Sequence, residues 1–225
     1  MIPGIDVSHW QREIDWKLVK QSGMRFAFYK ATEFPLGKTE IWVDPSLTDN
    51  AAGTAENRIH GAPYHFFRTH IPGYVQAKGF LHVIKDLPFS LAPVLDLEVS
   101  GKHGRNLCPM VLEFLQTVES ALHVKPLIYT SGSFWREYMI YDTIDNVLPF
   151  SGYPLWLAQW GFYMPRPVYP FPMAKFWQYS ETGRVPGIIT NVDLDYFMGD
   201  EIGILPYMCL NRYTDKTPPL ARLDS

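Results

Sequence analysis

Short apolar runs recur along the chain, most of them followed by a turn or by a segment with helical spacing. The runs IPGIDV (2–7), RFAFYKA (25–31), IHGAPYHF (59–66), APVLDLE (92–98), KPLIYTS (125–131), LWLAQW (155–160), KFWQYS (175–180) and IITNVDLDYF (188–197) read as strands. Several are apolar on both faces, the pattern of parallel strands covered by helices. Helical segments fall between the earlier strands. Asp15 is placed to cap a helix from Trp16 to Gln21 that Gly23 ends. Pro45 opens a second through Asn57, Tyr74–Asp86 and Leu107–Leu122 are amphipathic, and Ser133–Tyr141 is shorter. Beyond about residue 150 the helical signal fades, and Pro154, Pro165, Pro167, Pro170 and Pro172 break the chain into extended pieces.

This alternation predicts an α/β fold: an irregular single-domain (β/α) barrel of about eight strands, its helices reduced in the last third. A doubly wound open sheet is the competing topology. No G-x-G-x-x-G follows the first strand and no Walker-type loop occurs. Residues 1–210 are expected to form the barrel, with 211–225 (NRYTDKTPPLARLDS) a polar C-terminal tail.

With 225 residues the chain is long enough for one barrel core. Twenty Lys and Arg nearly balance 23 Asp and Glu, and no basic stripe suggests a nucleic-acid partner. No stretch of ~18 uncharged apolar residues predicts a membrane span. Aromatic residues make up 15%, enough to supply both core and platforms for sugar rings. Cys108 and Cys209 are too few for a disulfide framework and are expected to be thiols. A single bridge is the alternative if their Cα atoms come within ~7 Å.

The run PVLDLEV (93–99) carries two carboxylates where a buried strand has little reason for them. Side chains at i and i+2 share a face, so Asp96 and Glu98 point the same way, ~6–7 Å apart at the backbone. At a strand end this is either a turn into solvent or a pocket wall. Other strand ends favour the pocket. Asp6 closes the first strand, and Asp193 and Asp195 lie in the last, expected late in that strand. First and last strands are neighbours in a closed barrel, so three strands deliver acids to one rim. Clustered carboxyls raise one another's pKa and keep one protonated near neutral pH, as glycosidic bond cleavage requires. The same acids, with His9, His60, His65 and His70, are also compatible with a divalent metal beside a phosphate. No H-E-x-x-H or other zinc spacing is present, and His60 reads as a packed histidine. No metal or other cofactor is expected.

Taken together, GIDVSHWQ (4–11), FAFYKATE (26–33), GAPYHFF (61–67), PVLDLEV (93–99), LIYTSGSFW (127–135), LWLAQW (155–160), FWQYS (176–180) and VPGIITNVDLDYF (185–197) resemble the glycoside hydrolase family 25 muramidases, in the family's order. The resemblance implies cleavage of the β-1,4 bond between N-acetylmuramic acid and N-acetylglucosamine in bacterial peptidoglycan. By motif, Glu98 matches the general acid and Asp96 the partner that assists the substrate's N-acetyl group. Asp6 and Asp193 match further acids of the site, and Tyr64 matches a pocket tyrosine. Trp10, Tyr129, Trp160, Gln178 and, secondarily, Asp195 are the expected substrate contacts. Trp177 is a further stacking candidate, although at least one of the tryptophans is expected in the core. The proline-rich segment 161–172 is read as either a groove wall or a rigid connector. The expected partner is bacterial peptidoglycan, and the chain is expected to act as a monomer. No leader of signal type precedes the first strand. The enzyme is therefore expected to reach the wall after phage-type release or by other export. A metal-dependent phosphodiesterase and a non-catalytic glycan-binding barrel are the alternatives.

Overall fold

The computed structural model describes residues 1–101, 107–140, 144–161 and 163–209. Among the described residues nine strands are present: β1 (Ile2–Val7), β2 (Phe26–Glu33), β3 (Trp42–Val43), β4 (His60–Phe66), β5 (Val94–Asp96), β6 (Leu127–Ser131), β7 (Leu155–Ala158), β8 (Phe176–Gly183) and β9 (Val192–Phe197). Eight of them close on themselves in the order β1-β9-β8-β7-β6-β5-β4-β2, with β2 returning to β1. The closed sheet removes the edges that an open one exposes. The two-residue β3 hangs on the end of β2 as an antiparallel addition absent from the sequence expectation.

β1, β2 and β4–β8 run parallel to their neighbours, whereas β9 is antiparallel to both β1 and β8. This corrects one expectation. Asp193 lies early in the last strand and Asp195 near its middle, not late. Because that strand runs backwards, its beginning stands at the mouth where the parallel strands end.

Four helices pack outside: α1 (Trp16–Gln21), α2 (Leu47–Glu56), α3 (Gly73–Ile84) and α4 (Cys108–Leu122). Asp15 Oδ1 accepts the Leu18 amide hydrogen at 3.0 Å and so caps α1, while Gly23, at φ +100°, ends that turn in a conformation costly for other residues. The expected Ser133–Tyr141 helix is a short turn, Gly132–Phe134, that widens into a π-helical turn over Trp135–Met139. Tyr141 lies outside the described residues, as do Leu210 and the tail 211–225. After Met139 the described residues contain no α-helix. None of the described helices is long and apolar enough to cross a membrane.

Alternation along each strand separates two cores. Val7, Ala27, Tyr29, Leu95, Ile128 and Leu157 face outward to the helices. Ile2, Phe26, Ala62, Leu127, Phe176 and Phe197 fill the lower barrel interior. Gly4 is required there: a Cβ on it would stand 2.4 Å from Phe26 Cζ. The segment around Tyr207 closes the barrel floor, with the Ala92 amide donating to Tyr207 O at 2.7 Å. The cysteines are buried in different places, Cys108 donating to Met139 O and Cys209 to Leu91 O.

Candidate active site

Moving up the barrel, the inward-facing positions change character. Phe26 and Phe28 on β2 are followed by Lys30, Val94 on β5 by Asp96, Phe176 on β8 by Gln178, and Gly4 on β1 by Asp6. The period of two thus carries an apolar stripe in the lower barrel and an ionisable one at the mouth. There a cavity of about 250 Å³ opens, lined by Asp6, Tyr64, Asp96, Glu98, Tyr129, Gln178, Asp193, Trp10 and Lys30 among others. Trp156 forms part of its floor.

Backbone register places the acids. Asp6 is directly opposite Asp193, while Asp195 faces Gly4, one inward layer deeper. Asp195 is consequently inaccessible to solvent and does not line the cavity. Its Oδ1 accepts the Trp156 indole hydrogen at 2.8 Å. The expected substrate contact at Asp195 therefore becomes a support beneath the cleft. Asp96 ends β5, and the Leu97 amide still donates to Tyr129 O at 2.9 Å, which carries the chain in extended form to Glu98. Asp96 is buried at 7% exposure, and its Oδ1 has no hydrogen-bond partner among the described residues. Glu98 stands at the open edge.

Gln178 joins the elements of the site. Its Oε1 accepts from Tyr129 Oη at 2.9 Å and from Trp160 Nε1 at 3.1 Å. Its Nε2 donates to Asp6 Oδ2 at 2.8 Å and to Asp193 Oδ2 at 3.4 Å. Donors on one end and carboxylates on the other leave the amide a single sensible orientation. Gln178 is itself buried, so it positions the site's walls more than it offers free groups.

These surroundings shift every acid upward. Burial holds Asp6 well above the carboxylate range, assisted by the charges of Asp195 and Asp193 and partly offset by the Gln178 hydrogen bond. Burial and then Glu98 do the same to Asp96, against the opposing pull of Lys30 and Arg68. Glu98 is also raised by desolvation, since the cleft walls shield it despite its open edge, and Lys30 and Arg68 again oppose the shift. Burial pushes Asp193 up to about 6. Asp195 is raised by burial, against its bond from Trp156. Like-charged carboxyls this close titrate together, so near neutrality the cluster retains protons. Tyr64 and Tyr129 are held neutral, first by burial and then by these acids.

Lys30 is a site residue that the motif reading passed over. Its ammonium lies 3.6 Å from Glu33 Oε2, which also accepts from Arg68 Nη2 at 2.9 Å, and 4.8 Å from the centre of the Phe66 ring. Strict alternation from Phe26 and Phe28 was sufficient to place it inside the barrel. Ser8 and Gln11 also line the cleft, and Gln11 Oε1 accepts the Ser8 amide hydrogen at 2.8 Å.

Trp10 and Trp160 are 72% and 57% exposed, and so are available as platforms. Trp10 lines the cleft, whereas Trp160 reaches it through Gln178. Trp177 is buried and donates to Gln159 O at 2.6 Å. In the proline-rich segment, whose Phe162 lies outside the described residues, Val168 and Phe171 are buried while Tyr163 and Met164 are exposed. That segment is connector and wall in alternation.

The four candidate histidines do not line the cleft. His65 sits between Thr32 Oγ1 (2.7 Å) and Gln76 Oε1 (2.9 Å), stacked on Phe114, and burial lowers its pKa to about 4. His9 Nδ1 donates to Asp44 Oδ2 at 2.8 Å. His70 Nε2 donates to Lys38 O, and half-buried His60 begins β4. Among the described residues no group of three or more His, Cys, Asp or Glu is arranged to hold a metal ion.

A closed α/β barrel with protonatable carboxyls and aromatic platforms around one mouth is the architecture of a glycoside hydrolase. The sequence pattern of the glycosyl hydrolases family 25 matches residues 5–188, and the chain belongs to that family. It is 36% identical over 205 residues to the uncharacterized protein YegX of Escherichia coli K12, covering 88% of this chain and 70% of that protein. It is 32% identical over 219 residues to lysozyme M1 of Streptomyces globisporus, covering 91% of this chain and 70% of the relative. The solved bacterial lysozyme from Streptomyces coelicolor superposes with a TM-score of 0.75 at 30% identity, covering 91% of this chain and 95% of that one.

Proposed function

We propose that the protein is a lysozyme-type muramidase that hydrolyses the β-1,4 bond between N-acetylmuramic acid and N-acetylglucosamine in bacterial peptidoglycan. The observation that carries this reading is the convergence of Asp6, Asp96, Glu98 and Asp193 on one cleft, all with raised pKa values. The likeness to lysozyme M1 supports the choice of substrate. Glu98 is the general acid, because it is raised in pKa yet open to an incoming polymer. It protonates the glycosidic oxygen as the bond to the departing sugar breaks. Asp96, deeper on the same face, holds the N–H of the substrate's acetamido group, whose oxygen attacks the anomeric carbon. The negative end of the Asp6–Asp193 pair offsets the positive charge that develops on the ring. Water then opens the resulting ring intermediate, and Glu98 accepts the proton. Trp10 supplies a sugar-stacking face. Export to the wall, whether by phage-type release or another route, belongs to the same proposal.

The test is mass analysis of fragments released from defined peptidoglycan. New reducing ends on muramic acid are expected, and Glu98→Gln is expected to abolish them without altering the circular dichroism spectrum. Lysis at the normal rate by that variant refutes the role of Glu98. Reducing ends on glucosamine refute the choice of bond.

A further inference from the structure

A second cleft opens on the same mouth, and nothing in the chemistry above uses it. It has a volume of about 540 Å³, and Ser131, Ser133, Arg136, Gln159 and Arg166 supply its polar groups. We propose that it binds the carboxylates of the peptide stem carried by the wall polymer, a proposal that rests on the muramidase reading.

Three observations support it. The first is placement. Ser131 at the end of β6 pairs with Ala158 at the end of β7, which pairs with Gln178 on β8. Gln178 is the residue that holds Asp6 and Tyr129 in the acid cleft. Gln178 therefore stands about two strand spacings, ~10 Å, from the β6 side of the second cleft, and the two clefts adjoin, since Tyr129 on β6 and Trp156 on β7 line the acid cleft. A peptide advances ~3.5 Å per residue, so a stem branching from a bound muramic acid places its second or third residue there.

The second is charge. Among the described residues, no carboxylate lies within ion-pair distance of Arg136 or Arg166, whereas Arg68 is paired with Glu33 and Arg25 with Glu201. Two guanidiniums without a carboxylate partner among the described residues, on one concave surface, suit carboxylates, which they bind through paired hydrogen bonds. The acid cleft by contrast repels a stem bearing carboxylates. The arginines offset that repulsion and turn the stem away over β6 and β7, leaving the glycan aligned along the acids.

The third is support. Gln159 Oε1 accepts the Arg166 amide hydrogen at 3.2 Å, and its Nε2 donates to Tyr163 O and Met164 O at 3.5 and 3.4 Å. The loop carrying Arg166 is thereby folded back onto the end of β7. Ser131 and Ser133 share a hydrogen bond at 3.0 Å beside Arg136 and add hydroxyls for further carboxylate contacts.

The test is calorimetric titration of the Glu98→Gln protein with a soluble, stem-bearing peptidoglycan fragment, and with the same fragment after its stem carboxyls are converted to methylamides. The expected result is roughly tenfold weaker binding of the amidated fragment. Adding Arg136→Gln and Arg166→Gln is expected to weaken binding of the intact fragment by a similar factor and to abolish the distinction between the two. Both arginines are exposed, so the fold is expected to persist, with an unchanged thermal midpoint. Equal binding of intact and amidated fragments by the parent protein overturns the proposal, as does an arginine variant that still distinguishes them. Release of reducing ends by protein with Glu98 intact is measured separately, so failure of the muramidase reading is recognised independently.

Discussion

Gln178→Leu is the sharpest perturbation of the candidate site, because it keeps the bulk of a buried side chain and removes all of its hydrogen bonds. Two of the partners, Tyr129 Oη and Asp6, are themselves buried and are left unsatisfied. Each such loss costs about 1–3 kcal/mol. The Trp160 indole is half in solvent and the Asp193 contact is long at 3.4 Å, so these add little. The expected destabilisation is therefore about 2–6 kcal/mol, a large share of the ~5–15 kcal/mol that a domain possesses. It also has a required pH dependence. The Gln178 hydrogen bond lowers the pKa of Asp6 from the still higher value that burial imposes. Removing it raises the folded-state value further while the unfolded-state value stays put. A carboxyl whose folded pKa is raised contributes its full stability below the unfolded pKa and loses it as pH rises towards the folded pKa. The two lose stability alike until pH reaches the wild type's folded value; beyond it the variant goes on losing, so the stability difference between them grows with pH there and shrinks nowhere. Urea unfolding followed by tryptophan fluorescence measures both midpoints and slopes. A difference below about 1 kcal/mol, or one that shrinks with rising pH, refutes the view that this amide holds the acid pair in place.

Asp193→Asn removes a carboxyl that burial raises to about 6. It is expected to raise the thermal midpoint more at pH 8 than at pH 4 while lowering turnover on cell walls, and melts at the two pH values check the sign. Trp10→Ala is expected to raise KM for soluble glycan several-fold with no change in melting, since the side chain is 72% exposed; a large loss of stability makes it a structural residue instead. Gly53→Ala puts a Cβ 2.0 Å from Trp16 Cδ1 and is expected to cost about 1–3 kcal/mol, read by denaturant titration.

The order and approximate positions of the strands, though not their ends, were legible because each is a compact apolar run separated by caps, glycines and prolines. Strand direction was not. A run such as NVDLDYF carries the same alternation whether it enters the barrel upward or downward. Only the length of the link from β8 bears on the choice: Arg184–Asn191 is a short loop, long enough for a hairpin return and too short for a helical crossover. The short β3 was invisible for another reason. Two residues carry no periodicity, and Trp42–Val43 pairs only because Thr32–Glu33 at the end of β2 outruns its β1 neighbour.

For the site, spacing located the acids at strand ends, but depth decides their work. Asp193 and Asp195 differ by two positions and share a face, so spacing alone treats them alike. Pairing with Asp6 puts the first at the mouth, and pairing with Gly4 puts the second one layer down against Trp156. That layer is tight: the glycine opposite Asp195 leaves room for the Phe26 ring, whose Cζ would stand 2.4 Å from a Cβ there. The layer also requires a donor from the opposite wall, which the indole of Trp156 supplies. Lys30 shows the converse. It lies inside a motif, FAFYKATE, whose aromatic residues draw attention to the core. Yet its inward position makes it the leading counter-charge acting on Asp96 and Glu98, lowering both against the burial that raises them. The protonation state of the cleft thus depends on a cation that no acid motif announces. It was recoverable from a period-two count that begins at Phe26.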